Sequence, residues 1–240
     1  EKDFFLRREE KYAAAQQKSR ENAKTELTQL AGRLSDAEDQ SLAGAIEQGL
    51  VTYDAAFAKV ADEYRAIGLD ENAGLRGRLH DAINAVEGRL NDSSDRNLMI
   101  SMLLLRRAEK NFIEREDAKY VDQFNKEAGN FATLLASSDM SEARKTEISA
   151  LVAKYRGAFA DLAQLTVEHN ANAPKISTAY AGIEQKIDEF RQRVGAELVS
   201  VGEGDLRLVE DVVSQRDQDQ GSLEHVLAAD DGRLHGLRRE

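Results

Sequence analysis

The chain has 240 residues, 41% hydrophobic and 32% charged, with one proline, no cysteine and no tryptophan. A formal net charge of -11 argues against a nucleic-acid partner, which asks for a basic face. No run of about 18 apolar residues and no signal peptide appears, so any membrane connection is expected only through segments absent from this chain.

A single proline allows very long helices, because proline is the strongest interior helix breaker. In chain order, residues 1–34 keep apolar side chains at helical spacing through Phe4, Tyr12, Leu27, Leu30 and Leu34. Ser35-Asp36-Ala37-Glu38 has capping-box form and starts a second helix over 36–67, with a seam of Leu42, Ile46, Tyr53, Phe57, Val60 and Ile67. Gly68 ends it and the next residues turn. A shorter helix over 71–90 follows through Leu75, Leu79, Ile83, Val86 and Leu90, broken by the polar run 91–95. The seam Leu98, Met102, Leu105, Phe112, Tyr120, Phe124, Phe131, Leu135 predicts one helix over 95–136, roughly 60 Å long at 1.5 Å per residue. A fifth helix is expected over 141–170 and a sixth over 174–201, with the only proline, Pro174, in the first turn of the sixth. Residues 206–240 keep a further seam through Leu206, Val209, Val213, Leu223, Leu227 and Leu234. Strand-like alternation is absent.

One segment occurs twice. Residues 1–12 read EKDFFLRREEKY and residues 109–120 read EKNFIEREDAKY, identical at six of twelve positions. A period this long points to duplicated modules. Short connections make neighbouring helices antiparallel. The expectation is an all-α protein of two four-helix bundles stacked end to end and sharing two long antiparallel helices. The bundles would be 1–112 (1–34, 36–67, 71–90 and the start of 95–136) and 113–240 (the end of 95–136, then 141–170, 174–201 and 206–240), with each repeat copy near the waist.

The segment LLLRRAEKNFIEREDAKYVDQF (103–124) resembles the LRRxEKDFxxRxxxKY signature of helical bimodular sensor domains, and GLDENAGLRGRLHDAINAVEGRL (68–90) resembles the stretch that precedes it. Such domains are the extracytoplasmic ligand-binding regions of bacterial methyl-accepting chemotaxis receptors and some sensor histidine kinases. Over roughly residues 1–200 the resemblance implies a membrane-distal bundle (1–112) and a membrane-proximal one (113–240). It also implies a periplasmic position in an inner-membrane receptor that is a homodimer when whole. Finally, it implies binding of small organic acids, such as C4-dicarboxylates or acetate, to arginines between helices. The chain departs from the family pattern at its start, where Glu1 has no Leu-Arg-Arg before it. Leu237-Arg238-Arg239-Glu240 would supply that motif if joined to Glu1. The order therefore resembles a circular permutation, with Glu1 and Glu240 expected side by side.

A carboxylate ligand needs fixed cationic donors, and the planar fork of arginine suits it best. Arg106 stands one turn from Met102 and Glu109 and can lean into the seam. Arg107 lies about 100° further round. By the repeat, Arg238 and Arg239 correspond to Arg106 and Arg107, and Arg7 to Arg115. These five residues, Arg106, Arg107, Arg238, Arg239 and Arg7, are the candidate ligand contacts. The competing reading makes the arginines structural ion-pair partners of Glu1, Glu109 or Glu116. Tyr12, Tyr120 and the phenylalanines read as core, and Lys2 and Lys110 as solvated or paired.

An enzyme is not expected. His80, His169, His225 and His235 are scattered, with no Glu-x-x-His pair of the di-iron kind and no zinc-ligand cluster. No nucleophile elbow or phosphate-binding glycine loop appears. No catalytic residue, metal or cofactor is assigned. Two function classes remain: a sensor module that binds a small carboxylate and signals by a small helix shift, or a helical interaction module, including a sensor that docks a separate periplasmic binding protein.

Overall fold

The computed structural model describes residues 2–90 and 95–198, with side chains as far as 194. Among the described residues the chain forms seven helices and no strand. These are α1 (Lys2–Arg7), α2 (Glu10–Ala31), α3 (Ala37–Ile67), α4 (Gly74–Leu90), α5 (Arg96–Arg115), α6 (Ala118–Ser137) and α7 (Glu142–Leu198). The protein is all-helical. It divides into two compact units, Glu1–Lys59 with Ala173–Glu240, and Val60–Asn172.

Three expectations about helix continuity fail. The stretch 95–136 is not one helix, because the chain reverses at Glu116 and Asp117. Glu116 is left-handed (φ 52) and its N–H donates to the Phe112 carbonyl at 2.7 Å, which closes α5. Asp117 then caps α6 by accepting from the Lys119 N–H. The apolar seam runs through both helices without a gap, so periodicity alone could not register the corner. Residues 1–34 break in the same way at Arg8 (φ 54), between α1 and α2. Conversely, the two helices expected over 141–170 and 174–201 are, as far as Leu198, one helix, α7, with Pro174 inside it. The hydrophobic seam lapses between Leu165 and Ile176, but the buried face does not. Thr166, His169 and Asn172 carry it at helical spacing and are all buried. Packing of this polar stretch and of the apolar seams on either side holds the helix through a residue that costs about 3 kcal/mol in an isolated one. The cap of α3 also differs: Asp36, not Ser35, accepts from the N–H groups of Glu38 and Asp39. The helix expected over 206–240, and the proximity of Glu1 to Glu240, lie outside the described residues.

In the unit Val60–Asn172, α4, α5, α6 and the first part of α7 share one core. α5 and α6 form an extensively packed helical hairpin. Phe124 stacks on Phe159 at 3.9 Å between centroids, and Phe112 meets Phe159 edge-on at 5.5 Å. Each such ring contributes about 1.5–3 kcal/mol by leaving water. The link from α3 to α4 depends on glycine. Gly68 has φ +120, and a Cβ on Gly77 would lie 2.1 Å from the Asn72 carbonyl oxygen. This turn sets the first residues of α4, and with them Arg76 and His80.

In the unit Glu1–Lys59 with Ala173–Glu240, Phe4 is fully buried and packs edge-on to Phe57 at 6.0 Å. α3 and α7 meet through Tyr53 and Tyr180 and through Arg193, which pairs with Asp39 at 2.6 Å and Glu38 at 2.7 Å.

Candidate ligand cleft between α4 and α5

Of the five candidate arginines, the structure places Arg106 in a cleft. Leu105 is fully buried in the core, so the next residue, Arg106, emerges at the edge of the seam with a half-buried side chain. Its Nη1 donates to Glu87 of α4 at 2.8 Å. That hydrogen bond raises the Arg106 pKa, against a smaller opposing effect of burial. The ion pair therefore crosses between helices to Glu87, and among the described residues Arg106 makes no ion pair to Glu109 or Glu116; Glu1 lies outside the described residues.

The cleft has a volume of about 350 Å³ and is lined by Glu71, Arg76, Leu79, His80, Ile83, Arg106, Glu109 and Ile113. α4 brings Arg76 and His80 one helical turn apart, and α5 brings Arg106 and Glu109 to one face by their i, i+3 spacing. Glu109 is buried, and its carboxylate accepts a hydrogen bond from the Tyr155 hydroxyl of α7. Burial raises the Glu109 pKa, and the Tyr155 hydrogen bond and Arg106 oppose that only in part. Burial, with the neighbouring Glu109, raises the Tyr155 hydroxyl as well. The result is an apolar floor from Leu79, Ile83 and Ile113, two guanidinium groups from different helices, and a buried acid whose negative charge is disfavoured, with Glu71 and His80 completing the lining. Such a lining suits a small anion with an apolar middle.

The other candidates are placed differently. Arg107 is exposed on the outer side of α5. Arg7, in the other unit, is exposed, pairs with Asp3 at 3.2 Å and lies over the Tyr12 ring at 5.4 Å. Arg238 and Arg239 lie outside the described residues. Residue reasoning missed Arg76, Glu87 and Tyr155. Arg76 and Glu87 each follow a seam residue, Leu75 and Val86, as Arg106 follows Leu105. That flanking position was the available signal. Tyr155 had none, since a buried tyrosine in a seam reads as core.

A second buried polar group lies in the same unit. Glu63 accepts from Asn172 at 2.6 Å and stands 3.4 Å from the His169 Nδ1, while the His169 ring packs against Tyr64. Among the described residues no cluster of three or more potential metal-binding side chains occurs, and no helix is long and apolar enough to cross a membrane. Comparison of the chain with protein-family models, curated proteins and solved structures gives no match.

Proposed function

We propose that the chain is the extracytoplasmic sensor module of a bacterial chemoreceptor or sensor kinase, built as two four-helix bundles, and that it binds a small organic acid in the cleft between α4 and α5. The observation that carries the reading is the convergence of Arg76 and Arg106, from two different helices, on one partly apolar cleft. Two cations from different helices suit the two ends of a C4-dicarboxylate, and one of them suits acetate. The repeated EKxFxxRxxxKY segments and the Leu-Arg-Arg of 105–107 support the sensor reading through their resemblance to helical bimodular domains. On this reading the ligand competes with Glu87 for Arg106. Binding then alters the hold of α4 on α5, a small helix shift of the kind that sensors transmit. The module would lie on the periplasmic side of the inner membrane.

Titration calorimetry with succinate, malate and acetate tests this. Saturable binding is expected, and Arg106→Ala is expected to cost about 2–5 kcal/mol. Arg107→Ala, on the outer face, is expected to bind as the parent does. Full affinity in both Arg106→Ala and Arg76→Ala would remove the cleft from consideration.

A further inference from the structure

α5 is apolar on two opposite sides. At about 100° per residue, Leu98, Met102, Leu105, Ala108 and Phe112 form the inner face and are buried. The opposite side carries Arg96, Ile100, Leu103, Arg107 and Lys110 in steps of three and four, with Met99 beside Ile100, all exposed. Leu103 is 64% exposed, Ile100 56% and Met99 39%. A helix whose core face is already satisfied has no folding reason for a second apolar stripe, and such a stripe marks an interaction surface. Ile100 also borders a groove of about 420 Å³ between α5 and α6, where Leu104, Thr133 and Leu134 can seat an incoming side chain.

The charges select the occupant. Arg96, Arg107 and Lys110 continue the stripe above and below, and they form no ion pair or hydrogen bond among the described residues. They are three exposed cations on a chain of net charge -11, and Lys110 also acts through space on Glu109. A second copy is a poor fit, because an antiparallel two-fold contact centred on Ile100 and Leu103 sets Arg96 against Arg107, and a parallel one sets Arg107 against itself. An anionic membrane is a poor fit to an acidic chain, and Met99 to Leu103 spans roughly 6 Å, far less than an interfacial helix presents. Glu127, on the α6 side of the groove, accepts from Asn130. The cationic character therefore lies along α5 alone.

We infer that this face docks an amphipathic helix of a partner protein. Its apolar stripe would cover Met99, Ile100 and Leu103, and its carboxylates would meet Arg96, Arg107 and Lys110. This is helix-in-groove recognition with charges fixing orientation.

The test uses the whole chain and two synthetic helical peptides about three heptads long, with the same leucine stripe flanked by glutamates in one and by lysines in the other. Fluorescence anisotropy is expected to show saturable, salt-sensitive binding of the glutamate peptide. Ile100→Asp with Leu103→Asp is expected to weaken it by at least about tenfold, with thermal melts confirming that the variant folds. Arg107→Glu is expected to shift preference toward the lysine peptide, an outcome that general stickiness does not produce. Equal affinity for both peptides, or binding untouched by the double substitution, overturns the inference. So does capture by phosphatidylglycerol vesicles in place of the peptide, or a dimer in sedimentation that the double substitution dissolves.

Discussion

At residues 1–12 and 109–120 the chain makes the same corner twice, once in each unit. Arg8 and Glu116 are both left-handed, at φ 54 and 52, and both donate their N–H at 2.7 Å to a phenylalanine carbonyl, Phe4 or Phe112. In both copies an arginine and a lysine lie over a tyrosine ring: Arg7 and Lys11 on Tyr12 at 5.4 and 4.8 Å, Arg115 and Lys119 on Tyr120 at 5.6 and 4.9 Å. The left-handed residue itself is not repeated, and neither copy uses glycine there. Three of the six repeated identities, Arg, Lys and Tyr, are the side chains that clamp the corner, and a fourth, Phe, supplies the carbonyl that closes it. A left-handed residue with a side chain costs about 1–2 kcal/mol, and two cation–π contacts of about 0.5–1 kcal/mol each offset it. The second helix begins differently in the two copies. Asp117 accepts from the Lys119 N–H at 2.9 Å, whereas Glu9 makes no side-chain cap. Tyr120 is buried and Tyr12 is half-buried.

The comparison is broken most directly at its anchors. Phe112→Ala is expected to cost about 3–5 kcal/mol in urea unfolding, because Phe112 packs in a core shared by four helices. Phe4→Ala is expected to cost less, because α1 has six residues and can open locally. Equal losses would show that the two corners are anchored alike. Next in size, Tyr155→Phe leaves the buried Glu109 carboxyl without its hydrogen bond, at an expected cost of about 1–3 kcal/mol.

The same carboxyl sets a pH dependence. Burial holds Glu109 above its ordinary value of 4.5, so above that pH the folded state keeps a proton that the unfolded chain has lost. The stability this contributes is fully present below 4.5 and falls as pH rises through the folded pKa. Glu109→Gln is expected to abolish that fall. Parallel slopes for parent and variant in urea midpoints across the acid range would refute it.

Capping sharpens the contrast between the copies. Asp117→Ala is expected to lose about 1 kcal/mol, while Glu9→Ala, with no cap bond to remove, is expected to change by no more than a few tenths. The smallest effect is expected at the corner residues themselves. Arg8→Gly and Glu116→Gly relieve left-handed strain but loosen the unfolded chain by about 0.5–1 kcal/mol. Each is expected to stay within about 0.5 kcal/mol of the parent. A larger loss at Glu116 would assign weight to the hydrogen bond it accepts from Asn170 at 2.6 Å.

Much of the local structure was legible in the chain. The three- and four-residue spacing of Ile46, Tyr53, Phe57 and Val60 marks α3, and Leu75 to Leu90 marks α4, because a helix must turn its apolar side chains to one face to bury them. Gly68 marks its turn because few other residues take that backbone angle. The position of Arg106 at the edge of the seam was legible for a comparable reason: a long cation beside a seam leucine must emerge at the rim of the core.

The corners at Arg8 and Glu116 were hidden. A seam that continues in phase through a reversal looks like one helix, and the clamp that stabilises the turn exists only once Tyr12 or Tyr120 folds back over its cations. The passage of α7 through Pro174 was hidden for the opposite reason. Its buried face there is Thr166, His169 and Asn172, polar residues that earn burial only through partners such as Glu63, 109 residues away from Asn172. The pairing of Arg106 with Glu87 and of Glu109 with Tyr155 belongs to the same class. The sequence by itself determined which faces are apolar and where backbone freedom is needed, since both are properties of near neighbours. Where the helices reverse, which of them runs on, and which charge meets which were decided by the tertiary structure, because those energies arise only between residues that folding brings together.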